Sequence, residues 1–159
     1  MPHDNIIFLD LDGVLICTMP MSREDDLDAD GYSLFKQEAL DNFKELLEWD
    51  ASLRIIISSS RRVGKTLEQM EEIFAFRGIN GKIVDMLPVS FSVSQTRGEE
   101  IFRYLCDNPI EHFLILDDDY TVLDIDDEEM KNNFVLTEYE AGFDKSKLVE
   151  AKMIVKNWR

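Results

Sequence analysis

The stretch Asn5-Ile6-Ile7-Phe8-Leu9-Asp10-Leu11-Asp12-Gly13-Val14-Leu15 is a short apolar run closed by two acids, two residues apart, and a glycine. A continuous apolar run of this length, rich in branched side chains, reads as a strand buried on both faces. Side chains two residues apart on a strand share a side, which sets Asp10 and Asp12 together. Gly13 lets the backbone turn sharply beneath them.

The same pattern recurs along the chain. Strands are predicted at 5–9, 53–57, 82–86, 112–116 and 133–137, and amphipathic helices at 34–49, 66–77, 98–106 and 146–158. The first helix places Leu34, Phe35, Ala39, Leu40, Phe43, Leu46 and Leu47 on one stripe; the second stops at Gly78. Methionines and aromatics on these stripes read as core. Such alternation predicts an α/β fold with a parallel sheet of about five strands and helices on both faces. Residues 1–159 are expected to form a single domain. The segment 16–33 breaks the alternation and is expected to form a loop or minimal flap over the strand ends.

The chain has 159 residues with 33 acidic and 17 basic side chains, a net charge of −16. A domain of this size buries about 70% of its unfolded surface and has a core without disulfides or structural zinc. The charge argues against broad affinity for nucleic acid or an anionic membrane, which depends on Lys and Arg, but leaves room for one phosphate pocket. Two cysteines, Cys17 and Cys106, make no disulfide framework, and no signal or spanning segment is visible. A cytoplasmic protein is expected.

Three predicted strands end in polar clusters: Asp10-Leu11-Asp12-Gly13, Ser58-Ser59-Ser60-Arg61-Arg62 and Asp117-Asp118-Asp119. In doubly wound sheets the ligand crevice lies outside the carboxyl ends of the strands, so the three clusters are expected to meet. Carboxylates crowded together require a cation, and an oxygen-only donor set suits Mg2+. Asp10 can then attack phosphorus to form an aspartyl phosphate, and Asp12 can protonate the leaving oxygen and later activate water. The serine cluster and Arg61 can hold phosphoryl oxygens. Arg97, at the start of the helix leading into strand 112–116, is placed to reach the same crevice; Lys65 is a weaker candidate.

Phe8-Leu9-Asp10-Leu11-Asp12-Gly13-Val14-Leu15 resembles the first motif of the haloacid dehalogenase (HAD) superfamily. That resemblance implies a Rossmann-like fold and Mg2+-dependent phosphoryl transfer through an aspartyl phosphate. Ile55-Ile56-Ile57-Ser58-Ser59 is similar to the second motif, and Leu114-Ile115-Leu116-Asp117-Asp118 to the fourth, whose acidic pair, here Asp117 and Asp118, binds the metal. Arg97 stands where the third motif usually has Lys. With Arg97-Gly98-Glu99-Glu100-Ile101, Val135-Leu136-Thr137 and Ala141-Gly142-Phe143, the chain resembles the small HAD domains found alone or fused in RNA-repair proteins. The resemblance implies that Asp10 is nucleophile and metal ligand. Asp12 is then the general acid/base, giving its carbonyl to the metal; Asp118 is a metal ligand, and Asp117 orients Arg97. The phosphate-binding serine is Ser59 by likeness to the Ser-x-Arg of polynucleotide 3′-phosphatase domains, or Ser58 by counting from the hydrophobic run.

A phosphomonoesterase with a minimal flap implies an open site for a bulky phosphorylated substrate, such as a nucleic-acid end. With a charge of −16, that substrate requires Arg61, Arg62, Lys65 and Arg97 to form a basic patch. The competing function is a non-catalytic HAD-like module that binds a phospholigand or a protein. A response-regulator receiver would put its phosphoacceptor at Asp85, a weak match. Other residues have plainer readings: Ser60 and Arg62 as turn and surface, Asp119 as a helix cap, and 124–129 as a solvated helix or loop. Gly64-Lys65-Thr66 lacks the earlier glycine of a phosphate-binding loop. Asp26, Asp28 and Asp30 imitate the start of a calcium loop whose twelfth position is Gln37 rather than Glu.

Overall fold

The computed structural model describes residues 5–18, 26–89 and 95–159. Five strands form one parallel sheet: β1 (Asn5–Leu9), β2 (Arg54–Ile57), β3 (Ile83–Met86), β4 (His112–Asp117) and β5 (Phe134–Leu136). The helices are α1 (Gln37–Trp49), α2 (Leu67–Phe76), α3 (Arg97–Asp107), α4 (Glu128–Asn132) and α5 (Lys145–Lys156), with 3-10 turns at Ser60–Arg62 and Tyr120–Asp124. Strand order is β3-β2-β1-β4-β5, so the direction of winding reverses between β1 and β4. The crevice for a ligand opens at that switch point.

The two-sided strand signal has a direct packing basis. Ile7, Leu9, Ile55, Ile57, Leu114 and Leu116 face one layer, against Phe43 of α1, Phe74 of α2 and Leu148 and Val155 of α5. Ile6, Phe8, Ile56, Phe113 and Ile115 face the other, against Ile101 and Tyr104 of α3 and Met130 of α4. Burial of each such side chain is worth roughly 1.5–3 kcal/mol, so two covered faces make β1 the centre of the sheet despite its brevity. Phe8 also sits edge-on to Tyr104, with ring centroids 5.8 Å apart.

Two expectations need correction. The first helix starts at Gln37, not residue 34, because the preceding amides are engaged elsewhere. Leu34 N–H donates to the Asp26 carbonyl at 2.8 Å and Lys36 N–H to the Leu15 carbonyl at 2.7 Å, which holds this segment extended. Leu34 is consequently exposed, while Phe35 remains in the core. Arg62, expected at the surface, is only 4% exposed.

Residues 19–25 of the expected flap lie outside the described residues. Its second part folds back on itself: Leu27 bridges Ser33, and Asp28 N–H donates to the Tyr32 carbonyl at 2.7 Å. The acids that imitate a calcium loop serve another purpose. Asp30 lies 2.7 Å and Asp28 3.6 Å from the buried Arg77 guanidinium at the end of α2, which ties the flap to the body. Hydrogen bonding from Arg77 holds the Asp30 carboxyl below its ordinary range. Thr66 caps α2 in a reciprocal capping box with Gln69, accounting for the Gly-Lys-Thr sequence. Among the described residues no helix is long and apolar enough to cross a membrane.

Candidate active site

Beyond β1, the Asp10 amide extends the ladder to the Leu116 carbonyl at 3.0 Å. The chain then winds tightly, with the amides of Val14, Leu15 and Ile16 all converging on the Leu11 carbonyl at 2.8–3.1 Å. Gly13 has φ +83°, and a Cβ there would lie 2.3 Å from Asp118 Oδ2, so both conformation and space require glycine. Thr137, just after β5, donates its hydroxyl to the Gly13 carbonyl at 2.6 Å, and its amide bonds the Asp117 carbonyl at 3.0 Å. Phe143 N–H holds the Val14 carbonyl at 2.8 Å. The Val-Leu-Thr and Ala-Gly-Phe segments thus clamp the turn that carries the acids.

Asp10, Asp117 and Asp118 offer carboxylate oxygens that all lie within 4.8 Å of one another. Their environments differ. Asp117 is fully buried; one oxygen accepts from Arg97 Nη1 at 2.7 Å and the other from the Asp119 amide at 3.1 Å. Burial, with the neighbouring Asp10 charge, raises its carboxyl well above the ordinary value, against the pull of Arg97. Asp118 is pushed up to about 6 by burial and by Asp10. An elevated carboxyl among other carboxyls marks an excess of negative charge that a cation relieves. The all-oxygen set and this excess fit a hard divalent ion, which Asp10, Asp117 and Asp118 could hold, Asp117 being also engaged by Arg97.

Arg97 stands at the first turn of α3, where Thr96 and Glu99 form a capping box. Its Nη1 is 2.7 Å from Asp117 and 3.3 Å from Asp10, so it reaches the crevice as expected. Burial opposes its charge, but Asp117 and Asp10 hold the guanidinium more firmly protonated than usual. Gly98 makes this approach possible: a Cβ there would lie 2.4 Å from the Thr121 carbonyl oxygen.

Asp12 turns away from the triad. Arg61 grips both its oxygens, Nε at 2.8 Å and Nη2 at 3.0 Å, and Arg61 Nη1 donates to Ser33 Oγ of the flap at 3.1 Å. Ser58 and Ser59 are both fully buried. Ser59 Oγ accepts from the Arg61 amide at 3.2 Å and caps the 3-10 turn, whereas Ser58 Oγ has no hydrogen-bond partner among the described residues. Asp119 caps the turn at 120–124 by accepting from Thr121 N–H at 2.9 Å. Asp85 accepts from the Tyr104 hydroxyl at 2.6 Å, away from the triad.

Arg62 is the residue that sequence reasoning missed. It donates to the carbonyls of Leu87 at 2.7 Å, Ser58 at 3.1 Å, Ser59 at 3.0 Å and Pro88 at 3.1 Å, and it pairs with Glu100 of α3. Glu100 also lies 3.7 Å from Arg97 Nε. One ion-paired chain therefore ties the serine loop to the helix that presents Arg97. The Ser-x-Arg likeness singles out Arg61, and no periodicity or motif in a single sequence marks Arg62 as buried.

A parallel sheet whose switch point holds three clustered carboxylates and a bridging arginine defines a Rossmann-like α/β domain of the HAD type, with a crevice suited to a divalent cation. The chain belongs to the family described as the HAD domain in Swiss Army Knife RNA repair proteins, whose model matches residues 6–148. That membership supports a HAD-type phosphoryl-transfer role. No curated protein and no solved structure matches the chain.

Proposed function

We propose that the protein is a Mg2+-dependent phosphomonoesterase acting through an aspartyl phosphate on Asp10, with a nucleic-acid terminal phosphate as its substrate. The observation that carries this reading is the convergence of Asp10, Asp117 and Asp118 within 4.8 Å at the switch point. Bound to Asp10 and Asp118, Mg2+ would neutralise the repulsion between an anionic nucleophile and an anionic phosphate. Asp10 attacks phosphorus, and Arg97 offsets charge on the equatorial oxygens while keeping Asp117 in place. Asp12 protonates the leaving oxygen and afterwards takes a proton from water. Both Asp12 oxygens accept from Arg61 at rest, so Asp12 takes up from solvent the proton it delivers once the incoming phosphate takes over that guanidinium. The Ser58 hydroxyl, without a partner among the described residues, supports Ser58 as the serine that meets a phosphoryl oxygen once the loop admits it.

The test is phosphate release with Mg2+ from an aryl phosphate and from 3′- and 5′-phosphorylated oligonucleotides, for the wild type and Asp10→Asn. Turnover that chelation abolishes and Asp10→Asn eliminates is expected. Turnover that survives Asp10→Asn would remove the nucleophile assignment, and Mg2+ binding without turnover on any ester would favour the non-catalytic module.

A further inference from the structure

Next to Asp118 a cavity of about 610 Å³ opens between the 120–124 turn, the end of β5 and the start of α5. Its volume lies in the range of small-molecule sites, roughly 300–1,000 Å³, and exceeds what a phosphoryl group alone needs. The walls are of two kinds. Tyr120, Leu123 and Tyr139 supply aromatic and aliphatic surface. Tyr120 is 71% exposed, so most of its ring is open to a ligand. Tyr139 is anchored by donating its hydroxyl to the Thr18 carbonyl. One ring is thus fixed and the other open on the rim.

The charged lining is Asp118, Glu138 and Glu150 against Lys147 alone. Lys147 is already paired with Glu150 at 3.1 Å. Even with the Asp118 charge neutralised by a cation, Glu138 and Glu150 outnumber the lysine. Such walls accept a neutral planar group and repel a second phosphate.

Resting on the phosphomonoesterase reading above, we infer that this cavity is the leaving-group site and that it recognises its substrate one nucleoside deep. The scissile phosphate lies at the carboxylates, the terminal nucleoside stacks in the cavity against Tyr120, and no phosphate farther along a strand is gripped. Strand length then contributes nothing to recognition.

The test compares kcat/KM for adenosine 3′- and 5′-monophosphates, the better of these extended to a phosphorylated tetranucleotide, adenosine 3′,5′-bisphosphate and β-glycerophosphate. Expected values for the mononucleotide and the tetranucleotide agree within about threefold, with the bisphosphate and β-glycerophosphate each at least about tenfold poorer. Base–aromatic stacking is worth about 1–3 kcal/mol, so Tyr120→Ala should lower the ratio of mononucleotide to β-glycerophosphate activity at least about fivefold. Replacing Glu138 and Glu150 together by Gln should raise the bisphosphate's relative rate. A tenfold gain with strand length, or a preference that Tyr120→Ala does not move, overturns the inference. Should no ester turn over, the phosphomonoesterase reading fails on its own, and calorimetric titration of adenosine monophosphate into the Mg2+-loaded protein decides the cavity. Binding that Tyr120→Ala weakens sustains it; absence of binding overturns it.

Discussion

Replacing Arg62 by Met tests the energetic centre of the fold–site connection. The substitution keeps an unbranched stem of similar shape and deletes a guanidinium that serves four backbone carbonyls and the Glu100 carboxylate. Arg62 is 4% exposed, so water does not replace the lost donors. Breaking a buried ion pair by removing one partner costs about 3–5 kcal/mol, because the other charge is left uncompensated. A buried carbonyl left without a donor costs about 1–3 kcal/mol, although relaxation keeps such costs from adding. The expected loss is therefore about 3–5 kcal/mol, against a total stability of about 5–15 kcal/mol for a domain. At this chain length each kcal/mol moves Tm by roughly 2–4 °C, which gives a drop of about 6–20 °C.

The adjacent arginine is the internal control. Arg61 and Asp12 have side chains 28% and 34% exposed, and an ion pair open to solvent is worth about 0–1 kcal/mol. Urea unfolding followed by circular dichroism, with unchanged m-values, should separate Arg62→Met from Arg61→Met by at least about 2 kcal/mol. Arg62→Lys should recover only a minority of the loss, since one ammonium cannot reproduce a planar fork facing five acceptors. Equal effects at the two positions, or a loss below about 1 kcal/mol at Arg62, would refute the reasoning.

Three further outcomes follow from the same structure. Ser59→Ala should cost about 0.5–2 kcal/mol by removing the cap of the 3-10 turn, whereas Ser58→Ala, which breaks no hydrogen bond, should leave urea stability unchanged or raised while lowering phosphate release. Gly98→Ala should lower Tm and raise the Mg2+ demand of turnover, because the added methyl meets the Thr121 carbonyl and pushes Arg97 from its acids. The Asp30 carboxyl is depressed by Arg77, so its contribution is present above the ordinary value of 3.8 and is lost as pH falls through the lower folded value. Asp30→Ala should therefore cost about 0.5–1.5 kcal/mol at pH 7, since solvent screens the carboxyl, measured by thermal or urea unfolding, with the gap from wild type closing below pH 4.

Strands and the meeting of their acidic ends were legible because each strand is covered on both faces and so is written as an unbroken apolar run. Asp10, Asp117, Asp118 and Arg97 converge because parallel strands deliver all their carboxyl ends to one edge. What stayed hidden depends on geometry that a run of residue types does not encode. A 3-10 turn sends Arg62 inward and Arg61 outward, although the two are neighbours of identical type. Ser58 and Ser59 divide in the same way, one a hydroxyl without a partner among the described residues and the other a cap. Leu34 fits the helical stripe, but tertiary bonds to the amides of Leu34 and Lys36 override that periodicity. Thr137 and Gly98 lie in stretches that carry the family resemblance, but their roles exist only because distant segments touch them.

The cations around the crevice also change what its acidity means. Sequence reasoning needs Arg61, Arg62, Lys65 and Arg97 as a free basic patch if a strand of nucleic acid is to bind. Instead Arg62 points inward, Arg97 lies between Asp117 and Asp10, and Arg61 is forked on Asp12. Lys65 Nζ sits 5.7 Å from the Tyr32 ring centroid, beside Arg61 on the same ring. Each guanidinium is thus paired with an acid or with backbone carbonyls before any substrate arrives. On the proposed reading, attraction for a phosphate comes from exchange: a cation at Asp10 and Asp118 would offset local acidity, and the phosphate would displace Asp12 from Arg61. Exchange of this kind accommodates one phosphoryl group and offers nothing to the next phosphate along a strand. A net charge of −16 and a phosphate substrate are compatible on these terms, provided that the remaining affinity comes from the neutral, aromatic part of the leaving group.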